Sequence, residues 1–167
     1  PANMNLITSW LAHNAALCAP AKLRITYNGT AIKTRSPKDF CNALGATGSI
    51  AVDTVTNDGV DVLRIAVAAR DESGVSASSG EDVSGLTYAF VNSTWCPNGS
   101  HAKMIHTAVG KLIDEKANSK RGVSNIRCTP GFLRQHVVIV ATVLVDNERF
   151  TSQTKTCLDT PVSSWGW

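Results

Sequence analysis

Met4, Ile7, Trp10, Leu11 and Cys18 recur at spacings near three and four, with Leu6, Ala15 and Leu17 filling in ahead of Pro20. That spacing predicts an amphipathic helix packing inward through Trp10. Leu23, Ile25 and Tyr27 then alternate up to Asn28-Gly29, and Ile32 follows. Asn-Gly tolerates the positive φ of a type I′ turn, so this stretch predicts a hairpin with Ile25 opposite Ile32. Ser36 and Pro37 read as the N-cap and first residue of a short helix, whose Phe40, Cys41 and Leu44 share a face until Gly45.

From Gly48 the pattern changes to strands. Ile50 and Val52 lead into Asn57-Asp58-Gly59, and Val60, Val62, Leu63, Ile65 and Val67 form a longer run beyond it. This predicts a second hairpin, bulged where Val62 and Leu63 break the alternation. Glu72 to Gly85 is rich in Ser, Gly, Asp and Glu without periodicity, which predicts a mobile surface loop over 72–85. Leu86, Tyr88 and Phe90 predict a strand, followed by a turn at Cys96-Pro97-Asn98-Gly99. The longest helix is expected after a Ser100 cap, with Met104, Ile105, Ala108, Val109, Leu112 and Ile113 as its apolar stripe and Gly122 as its end.

Val123 to Cys128 and His136 to Val145 read as strands, the second so continuously apolar that it belongs in the middle of a sheet. Phe150 to Cys157 is expected to return antiparallel through Asp146-Asn147, and residues 158–167 form an irregular tail with Trp165 and Trp167. The order of elements predicts an α+β fold: a mostly antiparallel sheet packed with two to three helices, an α/β sandwich in one domain over 1–167.

Composition adds a compartment to this picture. At 43% hydrophobic and 6% aromatic the core is aliphatic, and a net charge of +3 falls short of a nucleic-acid binder's, so nucleic acid is an unlikely partner. The apolar run near Val137 is too short to span a membrane. Cys18, Cys41, Cys96, Cys128 and Cys157 are widely spaced with no C-x-x-C pair, which favours disulfides over zinc or redox motifs. The expected pairs are Cys18 with Cys41 and Cys96 with Cys128, leaving Cys157 as a free thiol or a link to a second chain. Asn28, Asn92 and Asn98 head candidate glycosylation sequons, although chance alone supplies about two such triplets in a chain this rich in Asn, Ser and Thr. A start at Pro1 is consistent with secretory processing.

Candidate chemistry is sparse. His101 and His106 lie five apart, ~140° around a helix, so they cannot form the paired-His zinc site that needs a spacing of four. No nucleophile elbow or phosphate cradle occurs, no catalytic residue stands out, and no metal or other cofactor is implied. Lys116, Lys120, Arg121 and Arg127 gather near the end of the long helix, as an anion patch or as complements to the helix dipole. Lys120-Arg121 is also a candidate processing site.

In organisation alone the chain resembles the small α/β-sandwich killer toxins and effectors secreted by fungi; no functional residue follows from that. The resemblance implies a secreted, extracellular, non-enzymatic binding protein of toxin, effector or defence type, with a protein or cell-surface receptor of a target cell as partner. A small secreted hydrolase or nuclease using a His pair is the first alternative. A subunit of a disulfide-linked hetero-oligomer is the second.

Overall fold

The computed structural model describes residues 11, 14–15, 17–18, 23–44, 46, 48–69, 87–120 and 127–167. Most of the expected helix over 4–18, including Trp10, lies outside them, as does the expected 72–85 loop. Leu17 and Cys18 are described as helical, and Leu17 is fully buried.

Strands β1 (Thr26–Tyr27) and β2 (Thr30–Ala31) form the first hairpin. Asn28 and Gly29 both adopt positive φ, at 47° and 76°, as a type I′ turn requires. Ile32 N–H donates to the Ile25 carbonyl at 2.9 Å, the expected register. Helix α1 (Pro37–Ala43) starts as expected, because the Ser36 hydroxyl accepts from the Asp39 N–H and Pro37 occupies the first turn.

Strands β3 (Ile50–Asn57) and β4 (Val60–Ala69) make the second hairpin, turned at Asp58 and Gly59. Val55 faces Leu63 but Thr56 faces Asp61, so Val62 is the extra residue of the expected bulge. Strand β5 (Thr87–Val91) turns through Asn92 and Ser93 into β6 (Thr94–Trp95), and β7 (Asn98–Gly99) leads into the long helix α2 (Ser100–Asn118). The short helix α3 (Pro130–His136), strand β8 (Val137–Val143), strand β9 (Cys157–Leu158) and a 3-10 turn over Val162–Ser164 follow.

The main sheet runs β3-β4-β8-β5-β6, antiparallel except for the parallel pair β8 and β5, so the fold is α+β with a mixed sheet. Strand β8 is central, as its unbroken apolar run requires, since both of its faces are covered. Val137, Ile139, Ala141 and Val143 join the core under α2 and α3, whereas Val138 and Val140 join Phe40 and Cys41 of α1 on the other face. Arg64 on β4 fixes the α1 side, donating to the Thr142 hydroxyl at 3.2 Å and the Leu17 carbonyl at 3.0 Å.

Several expectations need correction. Arg127 and Cys128 lie in irregular chain, and His136 ends a helix instead of opening a strand. Thr129 and Pro130 give the reason: the Thr129 hydroxyl caps the Phe132 N–H and proline fits the first helical turn. Phe150 does not return along β8. It bridges antiparallel to Leu158, while β9 pairs parallel with β7. Ser100 does not cap α2; Gly99 occupies that position, and the Ser100 hydroxyl donates to the Thr160 carbonyl at 2.6 Å. Ser119 is the C-cap of α2, Gly122 lies outside the described residues, and Ala108 and Leu112 are exposed.

The fold is not disulfide-stabilised: all five cysteines are free thiols. Cys18 and Cys41 share one core cluster, and Cys96 and Cys128 the other, yet neither expected pair is bonded. Cys41 and Cys96 have no exposed surface and serve as small apolar core residues. Burial pushes the Cys41 thiol up to about 11 and raises Cys18, Cys96 and Cys128 as well. Alkylation of the denatured protein without reductant is therefore expected to add five labels by intact mass. Three labels or fewer would restore a disulfide.

Candidate functional site

The residues singled out in the sequence do not converge. Arg121 lies outside the described residues, as does His13. Lys116 and Lys120 border an apolar groove of about 410 Å³ with Ala51, Val67, Val109 and Ile113, whereas Arg127 faces a separate cavity. Of the anion patch expected at Lys116, Lys120, Arg121 and Arg127, the described members thus line two different surfaces. Of the processing pair, Lys120 is exposed just beyond the end of α2. Among the sequons, Asn28 sits at an exposed hairpin tip and Asn98 is exposed in β7. Asn92 is half-buried and tied to the fold: its amide donates to the Val145 carbonyl at 2.8 Å and accepts from the Val145 N–H at 2.9 Å.

The His-pair alternative fails on burial. His101 is fully buried at the start of α2, with Nε2 donating to the Cys96 carbonyl at 2.7 Å and Nδ1 without a hydrogen-bond partner. No substrate reaches it there. Burial, opposed by the Cys96 carbonyl and assisted by His106, holds its pKa below the usual 6.5. The unfolded chain takes up a proton near 6.5 that the folded one refuses. Stability from this group is complete above pH 6.5 and declines as pH falls from 6.5 toward the lowered folded value. Urea unfolding between pH 7.5 and pH 5 is expected to show this decline, and a His101→Gln variant a shallower one.

The cavity at Arg127 is the better-built surface. Lys103, His106, Gly110, Lys111 and Asp114 fall at spacings of three, four, one and three along α2, which places them on one helical face. The opposite wall is Arg127 to Pro130, and the space between is about 450 Å³. Three contacts hold the walls. The Cys128 N–H donates to the Asp114 carboxylate. His106 Nε2 meets the Thr87 hydroxyl of β5 at 2.8 Å. At Gly110 the helix packs against the other wall at an ordinary distance, since a Cβ there would lie 3.5 Å from the Cys128 carbonyl. Sequence reading missed this site because it joins Lys103 and Lys111 to a residue sixteen positions further on. The available signal was the helical spacing of those two lysines.

A second constellation surrounds Thr160. Its carbonyl accepts from the Ser100 hydroxyl and from Trp165 Nε1, and its hydroxyl accepts from the Arg149 N–H at 2.7 Å. Between Phe150 and β9, the hydroxyls of Ser152, Thr154 and Thr156 form an exposed chain of contacts at 2.7 and 3.3 Å, and Lys155 lies 5.4 Å over the Phe150 ring. Among the described residues no group of three His, Cys, Asp or Glu could hold a metal, and no helix is long and apolar enough to cross a membrane.

Residues 52–165, from β3 through the docked tail, match the family described as DNA gyrase B. The chain belongs to the DNA gyrase B family. It is 32% identical over 80 residues to the DNA topoisomerase 2 of Meyerozyma guilliermondii, covering 47% of this chain and 6% of that protein. A probable DNA topoisomerase 2 of Dictyostelium discoideum is also 32% identical over 80 residues, 47% of this chain and 5% of the relative. In fold, it matches the ATPase region of Saccharomyces cerevisiae topoisomerase II with a TM-score of 0.67 at 22% identity, over 96% of this chain and 37% of that one. The ATPase and transducer domains of DNA topoisomerase II from Balamuthia mandrillaris match equally, with a TM-score of 0.67 at 22% identity over 96% and 37%. The chain therefore spans only a small part of the length of its curated relatives.

Membership of the DNA gyrase B family overturns the toxin, effector and defence reading, and with it the virulence assignment. The curated relatives are DNA topoisomerases, so the secreted, extracellular localisation falls too. The cell-surface receptor loses its basis, and nucleic acid returns as a partner to be considered. The covalent second chain through Cys157 rested on an oxidising compartment; Cys157 is a half-buried free thiol in β9.

Proposed function

We propose that this chain forms one part of the ATPase and transducer region of a type II DNA topoisomerase, and that it contributes to ATP-dependent passage of DNA as a module of a longer enzyme. The observation that carries this reading is the family match over 52–165, which takes in all but the first two residues of the main sheet and reaches Trp165 of the docked tail. The 96% coverage of this chain by the yeast ATPase region, using 37% of that structure, supports a module in place of a complete catalytic unit. The mixed sheet, covered on both faces and tied at β4 by Arg64, gives such a module the stiffness to pass force between neighbouring parts.

The test is substitution into a working enzyme. This chain replaces the matching segment of the Saccharomyces cerevisiae topoisomerase II, and relaxation of supercoiled plasmid is measured with and without ATP. A chimaera that relaxes DNA only with ATP, and loses that activity on Gly99→Val, supports the reading. A soluble chimaera that still hydrolyses ATP but passes no DNA would sink it.

A further inference from the structure

We propose that the groove between α2 and the 127–130 segment binds a short polyphosphate anion, held at its two ends by Lys103 and Lys111 and from the opposite wall by Arg127. This goes beyond the topoisomerase reading and does not depend on it. At about 450 Å³ the cavity lies in the size range of small-ligand sites. Lys103 and Lys111 are eight residues apart on one helix, a separation of ~12 Å along its axis. A single phosphate would have to draw both long side chains to one point, whereas a chain of two or three phosphoryl groups offers each cation its own oxygens.

The charge balance points the same way. Among the described residues lining the groove, three cations stand against one carboxylate, that of Asp114, and the Cys128 N–H already occupies it. Lys103, Lys111 and Arg127 make no ion pair among the described residues, so their donors are available to a ligand. The Asp114 contact and the Thr129 cap on α3 fix the opposite wall before any ligand arrives, which lowers the cost of ordering it. A duplex carries its phosphates on a convex rod, and this site is a bounded concavity; the geometry therefore favours a small linear anion over DNA.

Titration calorimetry of the chain with sodium tripolyphosphate at low ionic strength tests this. One saturable site is expected, with affinity reduced about tenfold or more by Lys111→Ala and by Arg127→Gln. Lys120→Ala removes the same charge beside the apolar groove and is expected to leave affinity unchanged. Orthophosphate should bind much more weakly. The proposal is overturned by the absence of saturation, by equal losses in all three variants, by orthophosphate matching tripolyphosphate, or by a short DNA duplex displacing tripolyphosphate at lower concentration. Thermal unfolding of each variant confirms that the losses come from the folded protein.

Discussion

Replacing Gly99 by alanine is expected to lower stability by about 3 kcal/mol or more, seen as a fall in Tm of roughly 10 °C. Gly99 has φ 121° and ψ −161°, a backbone region open in practice to glycine alone. Space forbids the change as well. A Cβ at Gly99 would lie 2.8 Å from the Leu158 Cα and closer still to that residue's backbone N and O, so no side-chain rotation relieves the overlap. The parallel pairing of β7 with β9 is what brings Leu158 there, and Gly99 is also the N-cap of α2. One substitution therefore strains the start of the longest helix and separates the tail from the body. A Gly99→Ala variant melting within about 2 °C of the parent would show that this close approach contributes little.

The hairpins and the central strand were legible because local chemistry decides them. Asn28-Gly29 and Asp58-Gly59 supply consecutive positive φ angles, and the observed registers follow from those turns. The apolar run of β8 announced a strand covered on both faces. The close approach at Gly99 was not legible, because glycine in a Pro-Asn-Gly stretch reads as a turn and nothing local reveals a strand fifty-nine residues later. His136 misled for a related reason: it adjoins the apolar run, but the Thr129-Pro130 start commits it to the helix before.

The cysteines show how a compositional argument fails. Wide spacing and the absence of C-x-x-C fit a disulfide framework, yet the same pattern arises when thiols fill small apolar gaps, as Cys41 and Cys96 do. An oxidised framework implies a secreted role, so the state of the thiols carries the compartment with it. The parallel pair β5 and β8 inside an otherwise antiparallel sheet was hidden, because local patterning gives the strands but not their pairing. The cationic groove was equally out of reach, since Lys103, Lys111 and Arg127 meet only when α2 and the 127–130 segment pack together.

Trp165→Ala is expected to cost 3–5 kcal/mol, about 10 °C or more in Tm, although the residue is third from the end of this sequence. Trp165 is 1% exposed within the core under α2 and among its largest side chains. Its carbonyl accepts from the Asp146 N–H, and Gly166, at φ 87°, turns the chain so that Trp167 lies 5.5 Å from the Trp165 ring and donates to the Leu144 carbonyl. The indole nitrogen matters less than the ring. The Thr160 carbonyl that accepts from Trp165 Nε1 also accepts from the Ser100 hydroxyl, so it keeps a partner when the indole is lost. Trp165→Phe should therefore cost far less than Trp165→Ala in urea unfolding, and Trp167→Ala, at a half-exposed position, less than either loss of the buried ring. Equal destabilisation by Trp165→Phe and Trp165→Ala would mean that the hydrogen bond, and not the filled volume, secures the tail.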